Sequence, residues 1–343
     1  MKLANGEVME KKNGKKFLKK INNGIFSVTF MTGTPFVNRP SELWTTLNTV
    51  GRHIKQFSTW NNFAYRYCGA HHNGYGWDFS GATHKDELHQ LLTDHIMLRR
   101  LKVDVLKELP PKQYRNIALD FDRTEYDIAE AAFDGKVNWK AGIEAMVNLG
   151  ANAPKSQIEI VAVQKMREIA ARAKMPAAVE WIKEYCDEGE KLVVFAHNVD
   201  VLNYMYDQLV ADKDYANAVG RIMGGMSDEQ RDEQMRQFQT DPNMLIIIVG
   251  NTVGGVGLTL TAAQAMAVIQ LPWTPGDLGQ MGDRICRIGQ TGTHCTIFNL
   301  VASDTIEETH ADLVISKGTV MDEVLDGGRQ VNRADIKLDK TVS

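Results

Sequence analysis

From Pro176 onward, short apolar runs alternate with helical patterns of 10 to 15 residues. The runs are Lys191–Ala196, Ala218–Met223, Met244–Val249, Ala265–Leu271 and His294–Val301. Continuous apolar strands joined by helices predict a parallel sheet covered on both faces, a doubly wound α/β domain. The first half of the chain is patterned differently. Gly24–Met31, rich in β-branched and aromatic residues and followed by the turn Thr32-Gly33-Thr34-Pro35, predicts a buried strand. Ser41 to about Leu109 predicts helices, interrupted by the aromatic and Gly-rich stretch Tyr65–Ser80. Leu109-Pro110-Pro111-Lys112 stops any helix and marks a domain boundary. Beyond it, Gln113–Phe121 reads as a strand and Arg123 to about Arg172 as mostly helical, looser from Gly150 to Pro154.

The length of 343 residues allows about two domains. Thirty-nine basic against 43 acidic side chains give a formal charge of −4, which rules out a histone-like composition but not a basic groove on one face. Cys68, Cys186, Cys286 and Cys295 form no C-x-x-C pair, so a reducing, cytoplasmic setting fits better than a disulfide framework. No apolar run is long enough to span a bilayer. The start of the chain carries seven lysines up to Lys20 and reads as a solvated helix face or a frayed segment, with a phosphate-contacting stretch as the sharper alternative.

The chemistry concentrates in Gln280–Gln290. Arg284 and Arg287, three residues apart, are expected on one helical face, where planar guanidiniums can fork onto phosphate oxygens. Upstream, the Gly-rich segment Asn251–Leu260 follows a strand and is expected to enter a helix, a turn that brings free N–H groups close to an anion. Cys68, His71, His72 and His84 could be imagined as a metal site, but their spacing fits no closed zinc pattern.

Asp283-Arg284-Ile285-Cys286-Arg287-Ile288-Gly289-Gln290 resembles the Asp-Arg-x-His-Arg-Ile-Gly-Gln signature of the Swi/Snf-type DNA translocases, a branch of the superfamily-two helicase-like ATPases. Gly254–Thr261 resembles that family's motif V, Lys191–Asn198 its motif IV, and Gly224–Arg231 with Phe238-Gln239 the segment after it. Thr32–Trp44 looks like motif III, Leu98–Lys112 like the segment joining the two lobes, and the aromatic block Tyr67–Gly81 like the annealing-helicase branch. Cys286 stands where the family usually has His, Gly282 where a larger residue is common, and Gly250-Asn251 where Ser-Thr is usual.

The resemblance implies RecA-like lobes closing on ATP and Mg²⁺. Residues 1–112 would be the end of a first lobe with motif III and a helical protrusion, 113–175 a protrusion of the second lobe, 176–325 the helicase C-terminal lobe, and 326–343 a polar tail. Arg284 and Arg287 would sense the γ-phosphate, Gln280 and Asp283 would order them, and Gly255 and Gly257 would shape the nucleotide-facing turn. Thr32, Gly33, Thr34, Pro35 and Asn38 would couple nucleotide state to the grip on double-stranded or forked DNA, held by Asn198, Gly225, Ser227, Arg231 and Thr252. Trp273 would be a base or sugar contact, its plainer reading being a Trp that packs a turn onto the core. The sequence contains no Gly-x-x-x-x-Gly-Lys-Ser/Thr loop and no Asp-Glu-Ala-His box. The expectation is therefore the C-terminal part of a motor, inactive by itself, whose first lobe is supplied by a separately encoded partner. The alternatives are a non-hydrolysing DNA-binding or regulatory module and a decayed fragment.

Overall fold

The computed structural model describes residues 7–12, 15–20, 29–32, 35–36, 38–49, 51, 53–72, 76–133, 135–149, 158–250, 257–327 and 338–339. The chain divides into two compact units, residues 1–99 with 320–329 and residues 100–319 with 330–343.

In the first unit, strands β1 (Glu7–Lys12) and β2 (Lys15–Lys20) pair antiparallel, with Glu7 opposite Lys20. The lysine-rich start is thus a hairpin and not a helix face. Only Asn13-Gly14 separates the strands, and that dipeptide is among the strongest hairpin signals a sequence offers. The expected strand Gly24–Met31 falls mostly outside the described residues, and its end, Thr29–Met31, is not a strand. Helices α1 (Leu43–Thr49), α2 (His53–Gln56), α3 (Trp60–Tyr67) and α4 (Lys85–His95) follow, with the short strands β3 (His71–His72) and β4 (Trp77–Asp78) between the last two. Thr59 caps α3 by accepting from Asn62 N at 3.3 Å. The core gathers Phe36, Leu47, Phe57, Phe63, Leu88 and Leu92. Within it Phe57 and Phe63 meet edge-on at 5.1 Å, a preferred geometry for aromatic pairs.

The second unit is the doubly wound domain. Helix α5 (Lys102–Val105) precedes strand β5 (Lys112–Leu119) and helices α6 (Thr124–Phe133), α7 (Trp139–Leu149), α8 (Ile158–Ala173) and α9 (Met175–Cys186). Then come β6 (Leu192–Ala196), α10 (Val199–Ala211), β7 (Val219–Ile222), α11 (Asp228–Thr240), β8 (Ile246–Gly250) and β9 (Ala265–Val268). Helix α12 (Pro275–Ile285), β10 (Cys295–Ala302), α13 (Ile306–Asp326), whose last turns from Val320 belong to the first unit, and the two-residue β11 (Leu338–Asp339) complete it. The strands form one parallel sheet in the order β11-β5-β10-β9-β6-β8-β7.

Both faces of this sheet are buried, which is why its strands read as unbroken apolar runs. Val193, Phe195, Ile247, Val249, Met266 and Val268 point into one core with Ile143, Val163 and Leu278. Their neighbours Leu192, Val194, Ile246, Ile248, Ala265 and Ala267 point into the other, with Trp181, Val201 and Leu209. Removing one such side chain costs about 2–5 kcal/mol through lost transfer energy and the cavity left behind. From β8 to β9 the chain passes from one side of β6 to the other, so the strand order reverses there. In open α/β sheets, ligands gather at the carboxyl ends of strands beside such a reversal.

Candidate functional site

The carboxyl end of β6 is tied to that of β9 by one side chain. Gln270, 3% exposed, accepts from His197 N at 3.0 Å and Asn198 N at 2.9 Å, and so fixes where α10 begins. Nearby sequence places the arginine segment. Thr274 accepts from Asp277 N at 3.2 Å and caps α12, with Pro275 in its first turn. The helix ends at Ile285, and Cys286 is its cap. Arg284 therefore sits on the last turn, whereas Arg287 lies beyond the helix, in a tight turn closed by Arg287 N and Ile285 O at 3.2 Å. The expectation of one shared helical face fails because Cys286 leaves the helical region and Gly289, at φ +99°, turns the chain back.

That turn stitches the arginines to the Gly-rich segment. Arg287 Nη1 donates to Gly257 O at 3.2 Å and to Thr259 Oγ1 at 3.1 Å. Leu260 N donates to Arg284 O at 2.9 Å, and Gln290 Nε2 to Ala263 O at 2.8 Å. From the other side, Gln239 donates to Thr261 Oγ1 at 3.0 Å and accepts from Ala262 N at 2.8 Å. Gly257 takes φ +53°, a conformation that favours glycine, and Gly257–Leu260 is not helical. Gly255 and Thr252 lie outside the described residues, as do Gly33 and Thr34.

Arg284 is 6% exposed. Burial lowers its guanidinium below the ordinary value, and the like charge of Arg287 lowers it further against the pull of Asp283. Two neighbouring guanidiniums that repel each other form a site that an anion stabilises. Asp283 does not order them by hydrogen bonding. Its carboxylate accepts from Lys102 and Lys112, each at 2.6 Å. Burial pushes that carboxyl up, but the ammoniums of Lys112 and Lys102 outweigh it and hold it below the usual carboxylate range. Gln280 is half-buried on the same helix. Cys286, 3% exposed, donates to Pro110 O at 3.4 Å, and its hydrogen bond with Cys295 draws the thiol below its ordinary value despite burial, with help from Lys112 and Lys102.

The nucleic-acid candidates separate into two groups. Gly225 (φ +88°), Ser227 and Arg231 share the start of α11. Ser227 and Gln230 form a capping box, and Arg231 pairs with Asp228 at 3.2 Å, so this helix start is already partly satisfied. Asn198 lies at the β6 end instead, part-exposed. Trp273 is half-buried, with the Arg167 guanidinium 4.4 Å over its ring and the His310 ring 4.4 Å away, an arrangement of the packing kind. Pro35 and the buried Asn38 belong to the first unit, and Thr32 is exposed there. His71 and His84 turn their Nδ1 atoms to backbone carbonyls, Gly69 O at 3.0 Å and Arg66 O at 2.8 Å. Among the described residues no cluster of His, Cys, Asp and Glu could hold a metal ion.

Sequence reasoning gave no role to Gln239, Gln270, Thr259, Lys102 or Lys112. The signal available was local: a polar residue directly after an apolar strand, as at Gln270, is where a side chain satisfies the free N–H groups of the neighbouring strand end.

The SNF2-related domain model matches residues 6–148, and the helicase conserved C-terminal domain model matches residues 177–289, the stretch that carries the stitched arginines. The chain belongs to the SNF2-related, helicase-like family. The human "DNA annealing helicase and endonuclease ZRANB3" is 32% identical over 89% of this chain and 27% of its own length. A Xenopus tropicalis "SWI/SNF-related matrix-associated actin-dependent regulator of chromatin subfamily A-like protein 1" is 34% identical over 82% of this chain and 28% of its own. The chain thus spans little more than a quarter of these relatives. Among solved structures, a "Sulfolobus solfataricus SWI2/SNF2 ATPase core in complex with dsDNA" aligns with 87% of this chain and 62% of its own at 23% identity and a TM-score of 0.46. The family is a class of ATP-hydrolysing, helicase-like proteins. No helix among the described residues is long and apolar enough to cross a membrane.

Proposed function

We propose that this chain is the C-terminal part of an ATP-dependent double-stranded DNA translocase. It supplies the arginine side of a composite ATP site, while the phosphate loop and the Mg²⁺-holding acids come from a first lobe outside these 343 residues. The observation that carries this reading is the mutual stitching of the Arg284–Gln290 segment and the Gly257–Ala263 segment, which holds the Arg287 guanidinium on Gly257 O and Thr259 with the Arg284 charge close enough to repel it. A pure DNA-binding module has no use for such a pair. Bound ATP would supply a γ-phosphate whose charge grows as it is transferred, and preorganised arginines are worth about 10³- to 10⁵-fold in that step. Arg287 would exchange its bonds to Gly257 O and Thr259 for bonds to the phosphate oxygens. Arg284, more buried, would hold its charge close behind it. Gln280 would orient the helix face, and Asp283 would anchor α12 through Lys102 and Lys112.

DNA phosphates would be held at the start of α11 by Gly225, Ser227 and Arg231, and by Asn198 and Thr252, giving sequence-tolerant, salt-sensitive binding. Motif III, Thr32 to Pro35 with Asn38, would report nucleotide state to that grip. ATP hydrolysis by the purified chain, with and without duplex DNA, tests this reading. We expect no DNA-stimulated turnover from the chain alone, and turnover abolished by Arg287→Ala would show that these residues already build a whole phosphate site.

A further inference from the structure

The first unit carries a surface that the ATP and duplex-DNA reading leaves unused. An open cleft of about 460 Å³ lies between the turn at Pro40–Glu42 and the aromatic hairpin, walled by Arg39, Glu42, Trp60, Trp77, Asp78 and Phe79. Its aromatic wall continues outward. The rings of Trp77 and Phe79 are nearly parallel, at 16° with centroids 6.5 Å apart, and Trp60 meets Phe79 edge-on at 5.2 Å. Tyr65 stands edge-on to Trp77 at 5.4 Å, and the two rings are 55% and 53% exposed. A contiguous exposed aromatic patch with a polar rim is the form that a ligand-stacking surface takes.

The polar lining selects among ligands. Glu42 and Asp78 would by themselves attract a cation, as aromatic cages with carboxylates do. Here a cation is already resident: Arg39 lies 3.9 Å from Glu42 and adds its field to that of His71 at Asp78. A second cation would meet that guanidinium. What remains is a wall with donors and acceptors side by side, and Arg39 Nε, sheltered from solvent, makes no hydrogen bond. A flat, neutral ligand with a mixed donor and acceptor edge matches this lining, and the volume is ample for one nucleobase.

We propose that this cleft binds an unpaired nucleobase of a single DNA strand, stacked on Trp77 and read along its edge by Arg39 and the Glu42 and Asp78 carboxylates. A base inside a duplex cannot enter, because both its faces are stacked and its edge is paired. The site therefore distinguishes DNA with an unpaired strand from plain duplex. The proposal rests on the reading that the chain acts on DNA, but it uses neither the arginine segment nor the α11 start.

The test is fluorescence anisotropy with the full chain and three probes: a labelled ten-nucleotide oligo-dT strand, a labelled duplex of equal length and a labelled oligolysine peptide. Unlabelled thymidine serves as competitor. We expect Trp77→Ala to weaken the single strand by about 5- to 150-fold, the loss of one stacked base, and to leave duplex binding unchanged. Trp77→Tyr should restore most of it, and Arg39→Gln should weaken it without altering the circular dichroism spectrum. Thymidine should compete only weakly, because it lacks the flanking phosphates. Single-strand binding unchanged in Trp77→Ala, thymidine binding as tight as the strand, or oligolysine binding that depends on Trp77 would each overturn the proposal. Absence of duplex binding by the unaltered chain, with the Trp77 effect on single strands intact, would instead count against the translocase reading alone.

Discussion

Lys174 and Glu307 form an ion pair with almost no solvent contact, their side chains 0% and 4% exposed. Lys174 sits where Pro176 forces the break between α8 and α9, and its ammonium also donates to Leu300 O at 2.6 Å. Glu307 accepts from Ala302 N at 2.9 Å in addition to the lysine. Burial lowers the Lys174 ammonium below its ordinary value, with Arg167 adding to that and Glu307 opposing it. Glu307 pairs with Lys174, and its charge also reaches the Arg167 guanidinium. Among the described residues Glu307 is the one carboxylate paired with Lys174, and Glu307→Gln removes that charge while keeping an acceptor oxygen, so the cost belongs to breaking a buried pair, about 3–5 kcal/mol, at the lower end. For a domain of this size that is a fall of roughly 10 °C in Tm. Lys174→Met removes the buried charge and should cost less. The double variant Lys174→Met with Glu307→Gln should cost less than the sum by about 1–3 kcal/mol, the coupling of residues in direct contact. Urea unfolding of the four proteins at one pH measures this cycle. A Glu307→Gln variant within about 0.5 kcal/mol of the parent, inside the range of surface substitutions, would refute the reasoning.

Two further predictions concern the same unit. His310 is 3% exposed, and burial pushes its imidazole well below the ordinary value, with Arg167 and Lys174 adding to the effect against a hydrogen bond to Pro272. The folded state therefore keeps it neutral while the unfolded chain takes up a proton below pH ~6.5. Stability from this group is full above that pH and falls as pH drops, by up to about 1.4 kcal/mol per pH unit. Chemical denaturation between pH 5 and 7 should show this slope, and His310→Gln should remove it; an unchanged slope in the variant would assign it elsewhere. Gln239→Ala leaves Ala262 N without its acceptor, at a cost of about 1–3 kcal/mol. Hydrogen exchange should show the Ala262 amide opening about tenfold faster or more, and equal protection would mean that Gln239 does not hold the loop.

The sheet was legible because its strands face apolar cores on both sides. At β6 and β8 every position is apolar, so no register or partner is needed to recognise them. The order of the motifs likewise located the arginine segment. Local pattern could not show where Asp283 sends its carboxylate, since Lys102 and Lys112 lie 181 and 171 residues earlier in the chain. Nor could it show that α12 stops at Ile285, because helix spacing places Arg284 and Arg287 together whether or not the helix continues. The hairpin at the start was hidden by its charge: seven lysines suggested solvent, while the Asn13-Gly14 turn signal carried the structure. Lys174 and Glu307 lie 133 residues apart in the chain, and only the packing of α13 against the α8–α9 break makes them a pair.

If the stitched arginines serve an ATP site completed by another lobe, adding that lobe restores turnover, and complementation tests this directly. The purified chain is mixed with an isolated first lobe of a related motor that carries the Gly-x-x-x-x-Gly-Lys-Thr loop, and ATP hydrolysis is followed with and without duplex DNA. DNA-dependent turnover in the mixture, absent from either part and reduced about 10³-fold or more by Arg287→Ala, is the result this account predicts. Turnover in the mixture that Arg287→Ala and Arg284→Ala leave unchanged would contradict it.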